Sequence, residues 1–218
     1  SMERLEKMAE FFAARADMYD EHMLNDVEGC KEGYIKMAEF VPDNCSRLLD
    51  LGCGTGLELE EIFRKQPSVS VTGIDLCDEM LLRLKEKYAD KTIKLICGDY
   101  FTADFGKCYD CAVSFQTMHH FSKEKKTELY RKIYDALIDD GVYIECDYMV
   151  ETEDEENHWF SENERIRKEQ GIGENEFFHY DTPCTIENQK KLLRGAGFSN
   201  IEQVMRIENT TMLVARKG

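Results

Sequence analysis

The amino-acid sequence predicts an α/β fold in which parallel strands alternate with helices in one domain over residues 1–218. The apolar run at 48–51 is typical of a strand buried on both faces of a parallel sheet. Alternating glycines at 52–56 predict a tight turn, and apolar residues at 59, 62 and 63 have helical spacing. A chain of 218 residues is long enough for one sizeable core, and no stretch resembles a linker between domains.

The same reasoning places the other elements along the chain. Helical spacing predicts one helix over about residues 3–16 and another over about residues 28–40. Further helices begin near residues 78, 122 and 185, and the one from residue 122 is predicted to end at Gly141. The predicted strands lie at 48–51, 69–75, from 92 onward, and at 109–115, 142–148, 201–207 and 211–215.

The glycine turn predicts a site for a small ligand. Glycine permits positive φ and close approach of a ligand to the main chain, and the following helix start presents unpaired N–H groups. A dinucleotide fingerprint requires a third glycine at position 57, which is Leu57, so the pyrophosphate interpretation weakens. No Gly-Lys-Ser/Thr follows the turn, which disfavours a Walker-type phosphate site.

The stretch from Asp50 to Gly56, Asp-Leu-Gly-Cys-Gly-Thr-Gly, resembles the first motif of class I S-adenosylmethionine-dependent methyltransferases of the small-molecule type. The resemblance extends over about residues 44–218, because the chain closes with a helix, Ala196-Gly-Phe198 and two strands. It implies a doubly wound, mostly parallel seven-stranded sheet with helices on both faces and an antiparallel last strand. It also implies S-adenosylmethionine as the cofactor, with its methionine part above the glycine turn.

The cofactor residues follow partly from position and partly from the resemblance. Asp75 ends the second strand about twenty residues after the glycines, where a carboxylate can accept from both ribose hydroxyls. The resemblance implies that Asp99 accepts from the adenine amino group, that Met80 contacts adenine, and that residues 1–42 form a lid that carries Tyr19. The alternatives are a turn-capping Asp99, a core Met80 and a surface-packed Tyr19. The predicted cofactor-binding residues are Tyr19, Asp50, Gly52, Cys53, Gly54, Asp75, Leu76, Met80, Asp99, Tyr100 and Phe115.

The two consecutive histidines His119 and His120 follow the fourth strand and are the predicted catalytic residues. The carboxyl ends of parallel strands near a switch in strand order form ligand crevices, and a histidine can remove a proton near neutral pH. The alternative is that they brace their loop by hydrogen bonds. We predict no metal site, because two adjacent histidines lack a third ligand in the sequence. Further candidates for proton removal or acceptor positioning are Glu145, Asp147, His179 and Tyr180.

A long stretch after strand five, residues 149–183, interrupts the alternation of strands and helices. It is acidic at 151–156 and aromatic at 158–160 and 177–180. Long insertions at carboxyl-end loops are usually functional or disordered, and the aromatic residues favour an ordered segment. By the resemblance, it is a helical cap that shapes the acceptor pocket.

The net charge and the cysteine content indicate which classes of substrate and which cellular compartment to expect. Net charge is −16, which disfavours polyphosphate substrates, so a small-molecule acceptor is expected rather than nucleic acid. Nine cysteines in an acidic chain, with no apolar leader and no apolar run of membrane length, indicate a cytoplasmic protein that contacts no membrane.

The pair Cys108 and Cys111 is expected to pack in the protein interior and not to bind zinc or act in redox chemistry, because no second pair follows at zinc-ribbon spacing. The alternatives are a protein or RNA methyltransferase, and a non-catalytic S-adenosylmethionine-binding regulatory protein; no feature fixes the oligomeric state.

Overall fold

The structure is a computed structural model that describes residues 4–218. It contains one sheet of seven strands, whose bounds are β1 Arg47–Leu51, β2 Ser70–Asp75, β3 Ile93–Cys97, β4 Tyr109–Phe115, β5 Leu137–Tyr148, β6 Asn200–Ile207 and β7 Thr210–Arg216. The strand order is β3-β2-β1-β4-β5-β7-β6. β1 to β5 pair in parallel, whereas β7 is antiparallel to both of its neighbours. The order reverses between β1 and β4, so a ligand crevice is expected at their carboxyl ends.

Eight α-helices accompany the strands within the described residues. Their bounds are α1 Met8–Ala14, α2 Tyr19–Asn25, α3 Cys30–Phe40, α4 Leu59–Lys65, α5 Asp78–Lys87, α6 Lys123–Ala136, α7 Glu153–Glu169 and α8 Ile186–Gly195. Side chains of Ser122, Thr152 and Thr185 cap the last three of these helices by accepting from backbone N–H groups. The predicted doubly wound α/β fold with an antiparallel last strand and a helical cap is confirmed.

Two apolar cores lie on the two faces of the sheet. Successive strand residues point to opposite faces, so Val113 and Ile144 join one core while their neighbours Ala112 and Tyr143 join the other. Residues of α2 to α5 complete the first core, and residues of α1, α6 and α8 complete the second. Because both faces are covered, the central strands are apolar runs rather than alternating patterns.

Two predicted boundaries are wrong. The helix predicted to reach Gly141 ends at Ala136, because Leu137 is extended and already pairs with Tyr109 on β4. The register then shifts before Val142 pairs with Cys111, and Asp140 takes a φ of +62° within that irregularity. Apolar periodicity alone does not separate a helix end from a strand that begins at the next residue.

The helix predicted over residues 3–16 is also divided. Residue 3 lies outside the described residues, α1 begins at Met8, and a short 3₁₀ turn at Ala16–Met18 separates α1 from α2. The break changes the direction of the chain, so that Asp20 of α2 reaches the glycine turn and accepts from the Thr55 hydroxyl at 2.5 Å. None of the helices among residues 4–218 has the length and apolar character needed to cross a bilayer.

Candidate functional site

The glycine turn closes the carboxyl end of β1 against β2. The backbone N–H groups of Gly52 and Cys53 both donate to the carbonyl of Ile74, at 2.8 and 3.2 Å. Gly52 has a φ of +68°, a conformation that side chains disfavour. A Cβ at this position would also collide with the Thr117 side chain, which arrives from the end of β4.

Replacing Gly52 with alanine is expected to destabilise the protein. Positive φ costs a non-glycine residue roughly 1–2 kcal/mol, and the collision with Thr117 adds to this cost. Gly171→Ala is the matched control, since Gly171 also has positive φ, +65°, but no atom lies within 4 Å of its Cβ position. Thermal unfolding followed by circular dichroism should show a larger decrease in melting temperature for Gly52→Ala than for Gly171→Ala. Equal decreases would contradict the predicted collision with Thr117.

Asp75 fixes the same turn from β2. One carboxylate oxygen accepts from the Gly54 N–H at 2.8 Å and the other accepts from the Cys77 N–H at 2.9 Å. Burial raises the pKa of Asp75 to about 6, although these backbone hydrogen bonds act in the opposite direction. The carboxylate therefore orders the glycine turn as well as facing the cavity above it.

Two further carboxyl groups, Asp50 and Glu58, are buried next to the turn. Neither oxygen of Asp50 accepts a hydrogen bond from an N–H or O–H group of the described residues, and the same holds for Oε1 of Glu58. Burial and the adjacent Glu58 raise the pKa of Asp50 well above its usual value. A cationic ligand at the turn would favour the ionised forms of Asp50, Glu58 and Asp75 and so lower their raised pKa values, which makes this group of acids complementary to positive charge.

A narrow cavity of about 40 Å³ lies above the turn. Eight of the eleven predicted cofactor residues line it, namely Tyr19, Gly52, Gly54, Asp75, Leu76, Met80, Tyr100 and Phe115. Asp50, Cys53 and Asp99 do not, and Asp99 instead accepts from the Phe101 N–H at 2.8 Å, which is the turn-capping alternative. Their roles in cofactor binding stay predictions.

Five further residues on the wall of this cavity are not among the predicted site residues. Met8, Ala9 and Phe12 of α1 lie on it, and Gln116 and Thr117 join from the end of β4. The position of Gln116 and Thr117 directly after a parallel strand is a signal that predicts a crevice residue. The predicted lid of residues 1–42 contains α1, but the sequence singles out none of these three α1 residues, because their position depends on contacts with residues far along the chain.

A larger cavity of about 830 Å³ adjoins the first one. Phe12, Tyr19, Gln116 and His120 line both cavities and therefore form their junction. The rest of its wall comes from α1, α2, the end of β5 and the segment around residues 179–181, with Glu208, Asn209 and Thr210 of the last hairpin. Its volume is in the range of small-molecule sites.

His119 and His120 form a short 3₁₀ turn beside this junction. His119 is buried, and its Nδ1 lies 2.6 Å from Oδ1 of Asp147 at the end of β5. Its Nε2 lies 3.5 Å from Oδ1 of Asp181, and Nε2 of His120 lies 3.9 Å from the same oxygen. The prediction that this pair lies near the glycine turn is consistent with His120 lining both cavities.

The two histidines differ in charge. Burial alone would lower the pKa of His119, but the carboxylates of Asp147 and Asp181 raise this pKa to about 10. Burial and the neighbouring positive charge of His119 lower the pKa of His120 well below its usual value. At neutral pH, His119 is therefore an imidazolium between two carboxylates, and His120 is neutral.

Thr182 holds the cap segment against the histidine turn. Its N–H and hydroxyl donate to the His119 carbonyl at 2.6 and 3.1 Å, and the hydroxyl also contacts the Phe121 carbonyl at 2.8 Å. The same segment pairs with the N-terminus, since the N–H of His179 donates to the carbonyl of Glu6 at 2.8 Å. Asp181 is thereby placed between α1 and the tip of β4.

The other predicted catalytic candidates occupy different places. Asp147 contacts His119 without lining either cavity, and Tyr180 packs against Trp159. Glu145 belongs to a buried network with Tyr130, Tyr143 and Gln189, apart from both cavities. Burial is the main cause that raises the pKa of Glu145, to about 7.

Comparisons with known proteins agree with this fold. Residues 48–141 match a family model described as a methyltransferase domain. Carboxy-S-adenosyl-L-methionine synthase of Trichodesmium erythraeum is 30% identical over 79% of this chain and 73% of that protein. The chain belongs to the class I S-adenosylmethionine-dependent methyltransferase family. A second methyltransferase-family relative, carboxy-S-adenosyl-L-methionine synthase of Nautilia profundicola, is 26% identical over 98% of this chain and 96% of that protein.

Solved structures show the same fold as this methyltransferase. DesVI of Streptomyces venezuelae has a TM-score of 0.68 at 17% identity, with 94% of this chain and 98% of that chain covered. Human N-acetylserotonin methyltransferase in complex with SAM has a TM-score of 0.62 at 20% identity, with 85% of this chain covered. This chain spans only 51% of the human chain, and less than two thirds of several others.

The residues present fit S-adenosylmethionine, the cofactor of this family. The buried carboxyls around the turn complement a ligand with a sulfonium and an ammonium group, because both are cationic. Asp75 stands at the tip of β2, where a ribose would lie, and Gly52 and Gly54 let a ligand touch the main chain. The cofactor is therefore S-adenosylmethionine, and the predicted SAM-dependent enzyme is confirmed.

Proposed function

We propose that this enzyme transfers a methyl group from S-adenosylmethionine to a small-molecule acceptor bound in the 830 Å³ cavity. The observation that carries the proposal is the junction formed by Phe12, Tyr19, Gln116 and His120, which line both cavities. A cofactor above the glycine turn and an acceptor in the larger cavity would meet there. An in-line transfer needs this adjacency more than it needs a strong catalytic side chain.

The reaction requires little further chemistry from the protein. A lone pair on an oxygen, nitrogen or carbon of the acceptor forms a bond to the methyl carbon, while the carbon–sulfur bond breaks and its electrons stay on sulfur. The products are S-adenosylhomocysteine and the methylated acceptor, and the acceptor's proton leaves. His120 and Asp181 are polar groups on the acceptor side of the junction, so we assign acceptor positioning to them and to His119.

The test is product analysis with the purified protein. Incubation with S-adenosylmethionine and a panel of phenols, catechols, thiols, amines and carboxylic acids should form S-adenosylhomocysteine and a methylated product with at least one class. Tight S-adenosylmethionine binding without a methylated product from any class would contradict small-molecule methylation. A methylated peptide or RNA, used as additional acceptors, would move the assignment to a macromolecular substrate.

A second candidate function follows from the relatives. Two proteins named carboxy-S-adenosyl-L-methionine synthase match 79% and 98% of this chain. We infer that formation of this carboxylated cofactor is the competing activity. Mass spectrometry of the nucleoside products, in assays that include a carboxyl donor, separates the two activities. Methyl transfer leaves S-adenosylhomocysteine, whereas the synthase reaction leaves S-adenosylmethionine in which a carboxyl group from the donor replaces a hydrogen.

We expect S-adenosylmethionine affinity to fall as pH falls through about 6. An ionised Asp75 is needed to accept from two ribose hydroxyls, and its raised pKa of about 6 means that it is protonated below this pH. Affinity should be flat above about pH 7 and fall by up to about tenfold per pH unit well below 6. Calorimetric titrations with S-adenosylmethionine at pH values above and below 6 test this prediction. The same pH profile in Asp75→Asn would contradict the assignment of the pH dependence to Asp75.

We also propose that the N-terminal segment, within the predicted lid of residues 1–42, moves when the cofactor binds. The cavity above the turn is about 40 Å³ because Met8, Ala9, Phe12 and Tyr19 lie over it, and ligand sites are typically several hundred Å³. Hydrogen exchange of α1 and α2 should therefore change when S-adenosylhomocysteine is added, while exchange of α8 stays constant. Unchanged exchange of α1 and α2 at saturation would contradict a moving lid.

A further inference from the structure

We infer that His119, His120 and Asp181 bind one divalent transition-metal ion of the zinc class at the junction of the two cavities. One ligand atom from each residue lies within 4.8 Å of the others. The sequence predicts no metal site, because no third ligand lies near the two histidines along the chain. The folded chain supplies a third candidate ligand, since Thr182 donates to the His119 carbonyl and brings Asp181 beside the two histidines.

The distances suit metal ligands better than direct hydrogen bonds. Oδ1 of Asp181 lies 3.5 Å from Nε2 of His119 and 3.9 Å from Nε2 of His120. Two ligands of a tetrahedral zinc ion, each at about 2.0–2.1 Å, are separated by about 3.4 Å. Hydrogen bonds between such atoms are shorter, about 2.7–3.2 Å. The two distances to Asp181 are therefore within about half an ångström of the separation that a tetrahedral ion requires.

Asp147 supplies the outer contact that metal-bound histidines commonly have. Its Oδ1 lies 2.6 Å from Nδ1 of His119, which holds one proton on Nδ1 and turns Nε2 toward Asp181. A bound ion would displace the second ring proton, which the His119 imidazolium carries on Nε2, so metal binding releases a proton here. Asp147 is itself almost fully buried, so it holds the ring in one orientation. The contact between Asp147 and His119 involves neither His120 nor Asp181, so it supports the metal site independently of the three proposed ligands.

The donor set and its surroundings indicate the metal class. Two imidazoles and one carboxylate suit zinc, iron, cobalt and related ions, whereas calcium and magnesium prefer oxygen ligands alone. Three protein ligands leave a coordination position open, as in catalytic rather than structural zinc sites. The ligands line the 830 Å³ cavity, so the open position faces the space assigned to the acceptor.

The role of the ion rests on the proposed function, although its binding does not. A hydroxyl or thiol acceptor bound at the open position would lose its proton to water at lower pH than it does in solution. The resulting anion, held at the junction, forms the bond to the methyl carbon as the carbon–sulfur bond breaks. The acceptor class is therefore one with a metal-binding oxygen or sulfur.

The experiment measures metal binding without cofactor or acceptor. Chelator-treated protein is titrated with Zn²⁺ by calorimetry, and with Co²⁺ by visible absorption, which reports four-coordinate nitrogen and oxygen ligands. We expect one ion per chain in wild type and at least tenfold weaker binding in Asp181→Asn and His120→Ala. Asp147→Asn should weaken binding about 10–100-fold while all three ligands remain. Circular dichroism melts establish that each variant is folded.

The control is His158→Ala, because His158 is exposed on the cap helix α7 and lines neither cavity. This variant should bind zinc as wild type does. No zinc uptake by wild type, uptake that Asp181→Asn and His120→Ala leave unchanged, or Co²⁺ spectra with thiolate charge-transfer bands would overturn the site. Zinc binding without methyl transfer contradicts only the proposed function, and methyl transfer by protein that binds no zinc contradicts only the metal.

Discussion

Asp75→Asn is expected to lower the affinity for S-adenosylmethionine by on the order of 100-fold. The amide loses the charge that strengthens two hydrogen bonds to the ribose, each of about 1.5–3 kcal/mol. It also presents an NH₂ group to either Gly54 or Cys77, whose N–H groups both donate to the carboxylate. The ribose contact and the glycine turn are therefore disturbed together, and Asp75→Ala should lose at least as much.

Titration calorimetry with S-adenosylmethionine and S-adenosylhomocysteine, with NAD as a ligand control, measures this effect. Asp78→Asn is the matched variant, because Asp78 carries the same charge three residues away but is exposed on α5. It should bind as wild type does. Equal affinity of Asp75→Asn and wild type would remove Asp75 from the cofactor site, and tighter binding of NAD would show that the glycine turn has been misinterpreted.

His120→Ala is expected to lower turnover by about 100-fold or more while S-adenosylmethionine affinity stays within a few-fold. His120 lines the junction, so its removal affects the acceptor and the alignment of the methyl group rather than the adenosine contacts. The turn itself should persist, because its backbone is held by Thr182.

Turnover with the acceptor found in the product screen, together with calorimetric affinity, separates these two effects. His158→Ala again serves as the control and should keep both values. Wild-type turnover in His120→Ala would show that the His120 side chain has no role in the reaction. A loss of cofactor affinity as large as the loss of turnover would instead place His120 in the adenosine site.

The residues around the glycine turn could be predicted from the sequence, because each lies in a short segment at the end of a predicted strand. Gly52 and Gly54 lie in the turn after β1 and Asp75 ends β2, and parallel strands bring their carboxyl ends to one edge of the sheet. Tyr100 follows β3 in the same way and lines the cavity as predicted. Asp99 follows β3 as well, but it accepts from the Phe101 N–H, because a turn-capping carboxylate and a ligand-binding carboxylate can occupy the same position in a sequence.

The acceptor half depends on contacts between distant segments. The sequence by itself determined the fold class, the glycine turn and the histidine pair, because these follow from apolar periodicity and from motifs of a few residues. Only the tertiary structure decided that Phe12 covers the cofactor cavity and that Asp181 joins His119 and His120. The reason is physical: the neighbours of Asp181 form hydrogen bonds to the backbone of Glu6 and His119, both more than 60 residues away along the chain, and no local pattern encodes such contacts.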